Sequence, residues 1–157
     1  MYWKADRFDS VGYGVDYPLG ATWVNPEGAE SRRNSARILI ERMQAIAGDD
    51  CAVIATGDFN WNPGGEAHTL FLEAGYVDTF LAAGHADGAV STFHGFEGQA
   101  YDARRYSDGA NTYWRIDWVL VRPGAPGARV ALCRVITDSE PPCYPSDHDP
   151  VMAEIDC

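Results

Sequence analysis

Five side chains that could do chemistry stand beside apolar runs of the chain: Asp58, Asn60, Asp117, Asp147 and His148. Asp58 and Asn60 are two residues apart, so on an extended chain they point to the same side. A carboxylate can hold a hard cation or orient a water, and an amide can bond that water or a phosphoryl oxygen without adding negative charge. Together with an adjacent Asp-His pair, these residue types favour metal-assisted phosphoester chemistry.

The residues suggest a role for each group. Asp147 could ligate a divalent metal, and His148 could contact phosphoryl oxygens or carry a proton. Asp117 could then fix the imidazole tautomer as an orienting carboxylate. Two plainer interpretations stand beside these: Asp-x-Asn before Asn-Pro-Gly-Gly is typical of a turn, and Asp117 could be a solvated acid at a strand edge. We favour the site, because an acid within the run IDWVLV needs a partner.

The surrounding elements must bring these groups together. The run CAVIA at 51–55 predicts a strand covered on both faces, as in α/β sheets, which place ligands at the carboxyl ends of their strands. The other predicted elements are a short strand at 21–24, a helix from about Pro26 to before Gly48, a helix at 66–74, strands at 116–122 and 128–136, and a closing strand at 150–155. Residues 76–83 are ambiguous, and Asp78 could cap one helical turn there. The sequence PGAPG at 123–127 predicts a hairpin between strands 116–122 and 128–136. Residues 92–114 are predicted to form one long loop, and loops of that length usually have a function.

The first long helix is predicted to be amphipathic. Its inward residues would be Ala36, Leu39, Ile40, Met43 and Ile46, which recur at three and four residues. Its solvated face would carry Arg32, Arg33, Arg37 and Arg42.

Length and charge restrict the function classes. With 157 residues the chain is expected to be one domain with a sizeable core. A net charge of −11 opposes strong binding to duplex DNA and attracts cations. The sequence contains no bilayer-spanning run and no signal peptide, so we expect no membrane association and favour a cytoplasmic location.

The four cysteines are Cys51, Cys133, Cys143 and Cys157. They contain no CxxC pair, so a zinc site is not expected. A disulfide between Cys133 and Cys143 is the alternative to free buried thiols, which are commoner in a domain of this kind.

Three motifs, GDFN at 57–60, RIDWVLV at 115–121 and SDHDPV at 146–151, resemble the endonuclease/exonuclease/phosphatase superfamily, the fold of deoxyribonuclease I-like nucleases. The segments TFHGF at 92–96 and RRNSARILIERM in the helix resemble a bacterial branch of its magnesium-dependent phosphoesterases. The resemblance implies a two-sheet α/β sandwich. It also implies a metal-assisted attack of water on a phosphoester, with Mg²⁺ or Mn²⁺ as cofactor.

By this resemblance, Asp58 and Asn60 would position the nucleophilic water and the phosphate. Asp147, together with Asp58, would bind the metal, and His148 backed by Asp117 would stabilise the phosphoryl oxygens.

Three further residues are candidates for substrate contact. His94 could touch the substrate or be a packed structural residue. Arg104 and Arg105 form the clustered cations of the long loop and could grip a phosphate or be plain surface residues.

The departures from the family pattern are also informative. Family members have a first half with an asparagine and a metal-binding glutamate, and an Asn-Thr-His segment, that are not found here. Asp149 stands where a tyrosine is common. We therefore expect residues 1–157 to be a single, truncated domain that acts on small or single-stranded phosphoesters and by itself turns over slowly or not at all. The alternative is a degenerate member that binds or scaffolds without turnover.

Overall fold

The computed structural model describes residues 26–106, 112–124 and 127–156. The predicted strand at 21–24 lies outside them. The helices are α1 (Pro26–Ala47), α2 (Glu66–Glu73) and α3 (Thr79–Ala82), and the strands are β1 (Val53–Asp58), β2 (Val77–Asp78), β3 (Asp117–Arg122), β4 (Arg129–Val135) and β5 (Val151–Asp156). Two short 3₁₀ helices, Gly98–Ala100 and Ala103–Tyr106, interrupt the long loop.

The described strands form two antiparallel sheets. One has three strands in the order β1-β3-β2, and the other pairs β4 with β5. The pairing of β1 with β3 places Asp58 opposite Asp117. The predicted α/β class with two sheets is therefore confirmed.

The predicted hairpin between β3 and β4 is wrong. β3 pairs with β1 and β2, whereas β4 pairs with β5. Glycine and proline allow the chain to change direction at 123–127, but they do not select the next pairing partner. β3 buries Trp118, Leu120 and Val121 and has both of its edges occupied, so β4 joins another sheet.

The expectation that β1 is covered on both faces is also wrong for the described residues. Val53 is buried against α1 and α2, while Ile54 on the opposite face is 40% exposed. A short apolar run without alternation does not tell how many of its faces are covered.

The core lies between the β1-β3-β2 sheet and the helices α1 and α2. Phe71 is fully buried, and Phe59 stacks on Trp118 with ring centroids 4.4 Å apart. Leu39, Ile40 and Met43 of α1 pack against this core around the buried Ala36, as predicted. α2 and the turn α3 are also confirmed, and the Asp78 carboxylate caps α3 by accepting the Phe80 N–H at 3.0 Å.

Two predictions for the faces of α1 are wrong. Ile46 is 56% exposed, because the residue that packs against the core in this turn is Ala47, four residues after Met43. Arg32 is buried, and its guanidinium lies 4.1 Å from the centroid of the Trp61 ring. A guanidinium gains from an aromatic face, and its stem covers apolar surface. Arg33 pairs with Glu66 at 3.3 Å.

The cysteines for which the structure gives a state are free thiols. Cys133 is buried, and Cys51 and Cys143 are exposed. A Cys133–Cys143 disulfide is therefore absent, and Cys157 lies outside the described residues. No described helix combines the length and apolar character needed to cross a bilayer.

Candidate active site

The candidate site begins where β1 ends. Asp58 is the last residue of β1, and its Oδ1 accepts the Asn60 N–H at 2.7 Å. Asn60 has a φ of 54°, a conformation that asparagine tolerates better than most residues. Asp-x-Asn thus does form a turn, as its plainer interpretation held, and the turn fixes the Asp58 carboxylate opposite Asp117.

Asp117 and His148 form a hydrogen-bonded pair, as the proposed chemistry requires. Nδ1 of His148 lies 2.8 Å from Oδ2 of Asp117. A carboxylate can accept but not donate, so Nδ1 carries the proton and donates it. Nε2 is left without a hydrogen-bond partner among the described residues.

The segment 92–95 holds the loop that carries His148. The N–H groups of His94 and Gly95 donate to the Asp147 carbonyl at 2.9 and 3.1 Å. The His148 N–H donates to the Ser146 hydroxyl at 3.1 Å. Sequence reasoning missed Ser146 as a positioning group, although Ser-x-His is a spacing at which a hydroxyl commonly accepts a main-chain N–H.

The electrostatics of the site reflect an excess of negative charge. Burial raises the pKa of Asp58, the nearby Asp117 and Asp147 carboxylates raise it further, and the Asn60 N–H and His148 oppose this shift. Burial lowers the pKa of His148, but the hydrogen bond and charge of Asp117, together with Asp58 and Asp147, outweigh it and raise this pKa. Three carboxylates around one imidazole favour the protonated imidazole and attract cations.

The donor set suits a partly hydrated cation better than a closed metal site. Within the described ranges, no group of three or more His, Cys, Asp or Glu side chains is arranged to hold a metal. Asp58 and Asp147 are close enough for the charge of Asp147 to raise the pKa of Asp58. Mg²⁺ commonly keeps several waters and uses one or two carboxylates together with substrate phosphates.

A cleft of about 270 Å³ adjoins the Asp117–His148 pair. Thr56, Gly57 and Ser146 also line it. The pair therefore faces a space that can admit a small group.

His94 is placed as a packed residue. It is buried, its Nδ1 accepts the Gly98 N–H at 3.3 Å, and its Nε2 lies 3.5 Å from Oδ1 of Asp149. Both ring nitrogens are thus occupied by the protein, which favours the structural alternative for His94. The Asp149 carboxylate faces His94. Burial raises the pKa of Asp149, and the charges of His94 and His148 oppose this rise without cancelling it.

Arg104 pairs with a carboxylate of its own loop and not with a residue of the site. Arg104 is exposed, and its Nε and Nη2 donate to the Asp102 carboxylate at 2.9 and 3.0 Å. The Asp102 hydrogen bonds and charge raise the pKa of Arg104. The side chain of Arg105 lies outside the described part of the chain.

The chain belongs to the endonuclease/exonuclease/phosphatase family, whose model matches residues 2–148. Among solved structures, it is similar to the mannosyl-6-phosphatase Bt3783 of Bacteroides thetaiotaomicron VPI-5482, with 25% identity and a TM-score of 0.63 over 85% of this chain and 48% of that one. An endonuclease/exonuclease/phosphatase family protein from Bacteroides thetaiotaomicron has 27% identity and a TM-score of 0.61 over 82% of this chain and 44% of that one.

A more distant similarity supports the fold alone. The D. rerio TDP2 complexed with single-strand DNA product has 18% identity and a TM-score of 0.57 over 85% of this chain and 52% of that one. A comparison with curated protein sequences finds no significant match. The chain spans about half the length of the solved relatives it matches.

Proposed function

We propose that this protein is a metal-dependent phosphoester hydrolase in which water attacks phosphorus, the ester P–O bond breaks, and the leaving alcohol takes up one proton of the water. The observation that carries the proposal is the Asp117–His148 pair, with its 2.8 Å hydrogen bond, at the end of the strand pair that places Asp58 opposite Asp117. Family membership makes a phosphoesterase the expected class of enzyme.

The chain's own residues supply the steps. His148 donates from Nε2 to a phosphoryl oxygen, and Asp117 holds the ring and stabilises its positive charge. Asp58 and Asn60 orient the attacking water and the phosphate. Mg²⁺ or Mn²⁺ held by Asp147 and Asp58 would neutralise charge on the phosphoryl oxygens.

We propose a small or single-stranded phosphoester as the substrate. The net charge of −11 repels a long polyanion, and Arg104 is paired with Asp102. One of the similar proteins named above is a mannosyl-6-phosphatase, which supports a small phosphoester as the substrate class.

A second candidate function is a binding or structural unit without turnover. It is favoured by the lack of a group of three metal-holding side chains among the described residues. With the two carboxylates Asp58 and Asp147 alone, Mg²⁺ would stay largely hydrated and weakly bound, so the 157-residue chain is expected to turn over slowly.

The test is hydrolysis of bis(p-nitrophenyl) phosphate and p-nitrophenyl phosphate by the purified chain, with Mg²⁺, Mn²⁺ or EDTA. We expect slow hydrolysis that EDTA abolishes and that Asp58→Ala and His148→Ala each lower by at least about 100-fold. The matched control is Asp138→Ala, which removes an exposed carboxylate from the loop after β4.

The outcomes separate the two functions. Hydrolysis that is equal in Asp58→Ala and Asp138→Ala would contradict the assigned site, and fast turnover would contradict the expected weak metal binding. Binding of inorganic phosphate at His148, seen as a shift of its ring NMR signals, without any hydrolysis would favour the second function.

A further inference from the structure

The hydroxyl of Thr92 makes three hydrogen bonds at the start of β3. It accepts the N–H groups of Ile116 at 2.9 Å and Asp117 at 3.0 Å, and it lies 3.3 Å from the Trp114 carbonyl, to which it donates. Thr92 is 0% exposed. A hydroxyl has one donor and two acceptor positions, so every hydrogen-bonding position of this group is used inside the protein.

These bonds satisfy main-chain N–H groups at the end of β3 that the short strand β2 does not reach. β2 is short and pairs with β3 at Leu120 and Val121, beyond the end that carries Asp117. On the other edge, β1 pairs along the whole of β3 as far as Asp117. At Asp117, the residue that holds His148, the Thr92 hydroxyl therefore supplies the hydrogen-bond acceptor that a neighbouring strand would otherwise provide.

The main chain of Thr92 also bonds to the segment that carries His148, the hydrogen-bond partner of Asp117. Its carbonyl accepts the N–H of Asp149 at 2.7 Å, the residue after His148. An isolated β-bridge joins the next residue, Phe93, to His148. Thr92 thus lies between the segment that carries Asp117 and the segment that carries His148, and it bonds to both.

We propose that Thr92 is a positioning residue for the reaction, because its hydroxyl sets the place of Asp117 relative to His148. The expected effect on catalysis rests on the proposed function, whereas the positioning of Asp117 by Thr92 does not. Replacing the hydroxyl with a methyl group leaves the buried Ile116 N–H and the part-buried Asp117 N–H without this acceptor, and such groups move to find another. Movement at Ile116 and Asp117 displaces the carboxylate that accepts from Nδ1 of His148.

The test compares Thr92→Val, which keeps the shape and removes the hydroxyl, with Thr92→Ser, which keeps the hydroxyl. The matched control is Thr79→Val. Thr79 is also 0% exposed, and its hydroxyl donates to the Val119 carbonyl of the same strand at 2.8 Å, away from the site. If Thr92→Val does not fold, Thr92→Ala replaces it, since a smaller side chain leaves room for water.

Two readouts do not need turnover. One is the hydrogen-exchange protection of the Ile116 and Asp117 amides, and the other is the NMR signal of the His148 Nδ1–H held by Asp117. The third readout is kcat for bis(p-nitrophenyl) phosphate. We expect Thr92→Val to lose the protection and the Nδ1–H signal and to lower kcat by about 10- to 100-fold, the range for removal of groups that orient a site.

Thr92→Ser should keep all three readouts near those of the unmodified chain, and so should Thr79→Val. Unchanged amide protection and an unchanged Nδ1–H signal in Thr92→Val would overturn the inference, as would equal losses in Thr79→Val. If the unmodified chain does not hydrolyse the substrate but Thr92→Val loses both NMR readouts, the positioning of Asp117 stands and the proposed function fails.

Discussion

A buried ionic group next to the candidate site gives a stability prediction that can be worked out from the structure. The Asp78 carboxylate accepts from Arg115 at 2.8 and 3.3 Å and from Nε2 of His68 at 2.9 Å. Nδ1 of His68 accepts the Gly64 N–H at 3.3 Å, so the ring proton that Asp78 accepts is on Nε2. The side chains of Asp78 and Arg115 are each 2% exposed. Arg115 lies two residues before Asp117, so this group also anchors the start of β3.

The perturbation is Asp78→Asn, which removes the charge and keeps an oxygen that can cap α3. Burial by itself raises the pKa of Asp78, but the hydrogen bonds from His68 and Arg115 and the Arg115 charge outweigh it and lower the pKa from 3.8 to about 2. A difference of roughly two pKa units corresponds to about 2.5 kcal/mol of stability. The substitution also leaves the buried Arg115 guanidinium with Asp87, 3.3 Å away and 38% exposed, as its remaining carboxylate partner among the described residues, so we expect a total loss of about 3 kcal/mol in the free energy of unfolding at neutral pH.

The pH dependence follows from the direction of the shift. Because the pKa of Asp78 is lower in the folded state than in the unfolded state, its contribution is fully present above about pH 4 and is lost as the pH falls towards about 2. The Asp78→Asn variant should lack this part of the acid dependence.

The assay is urea unfolding followed by circular dichroism, at neutral pH and at several acidic values. The control is Asp156→Asn, which breaks the exposed pair that Asp156 forms with Arg129 at 2.6 Å and should cost less than about 1 kcal/mol. A loss in Asp78→Asn no larger than that of the control, or an unchanged acid dependence, would refute the reasoning.

Three other predictions concern the site and the surface. Asp117→Asn should lower the pKa of His148, since it removes the hydrogen bond and charge that raise it, and an NMR titration of the ring that shows no change would exclude the pairing. Binding to duplex DNA at physiological salt should be weaker than about 1 µM by fluorescence anisotropy, because the net charge is −11, and tighter binding would contradict the proposed substrate class. Cys133 should react with a thiol reagent more slowly than Cys51 and Cys143, since it is buried and burial raises its pKa, and mass spectrometry of the labelled peptides would show any reversal of this order.

Local sequence determined the elements and the candidate groups of this protein. Asp-x-Asn after an apolar run, and Asp117 at the start of another, placed polar groups at strand ends, because strands end where apolar residues end. α2 and the Asp78 cap followed from side-chain spacing and from the hydrogen bond that an aspartate makes to the next turn. The hydrogen bond between Asp117 and His148 was expected because an imidazole that faces phosphate needs its second nitrogen held.

The tertiary structure decided partners and burial. The turn residues at 123–127 allowed β3 and β4 to pair, but β3 pairs with β1 and β2, because pairing depends on which face each strand buries over long sequence separations. Arg32 was expected in solvent and lies on Trp61, a residue 29 positions away in the sequence. Thr92 has no local feature that marks it, since the amides of Ile116 and Asp117 that it bonds are 24 and 25 residues away. Contacts of this kind form only when the chain has folded, so residue type and local spacing do not contain them.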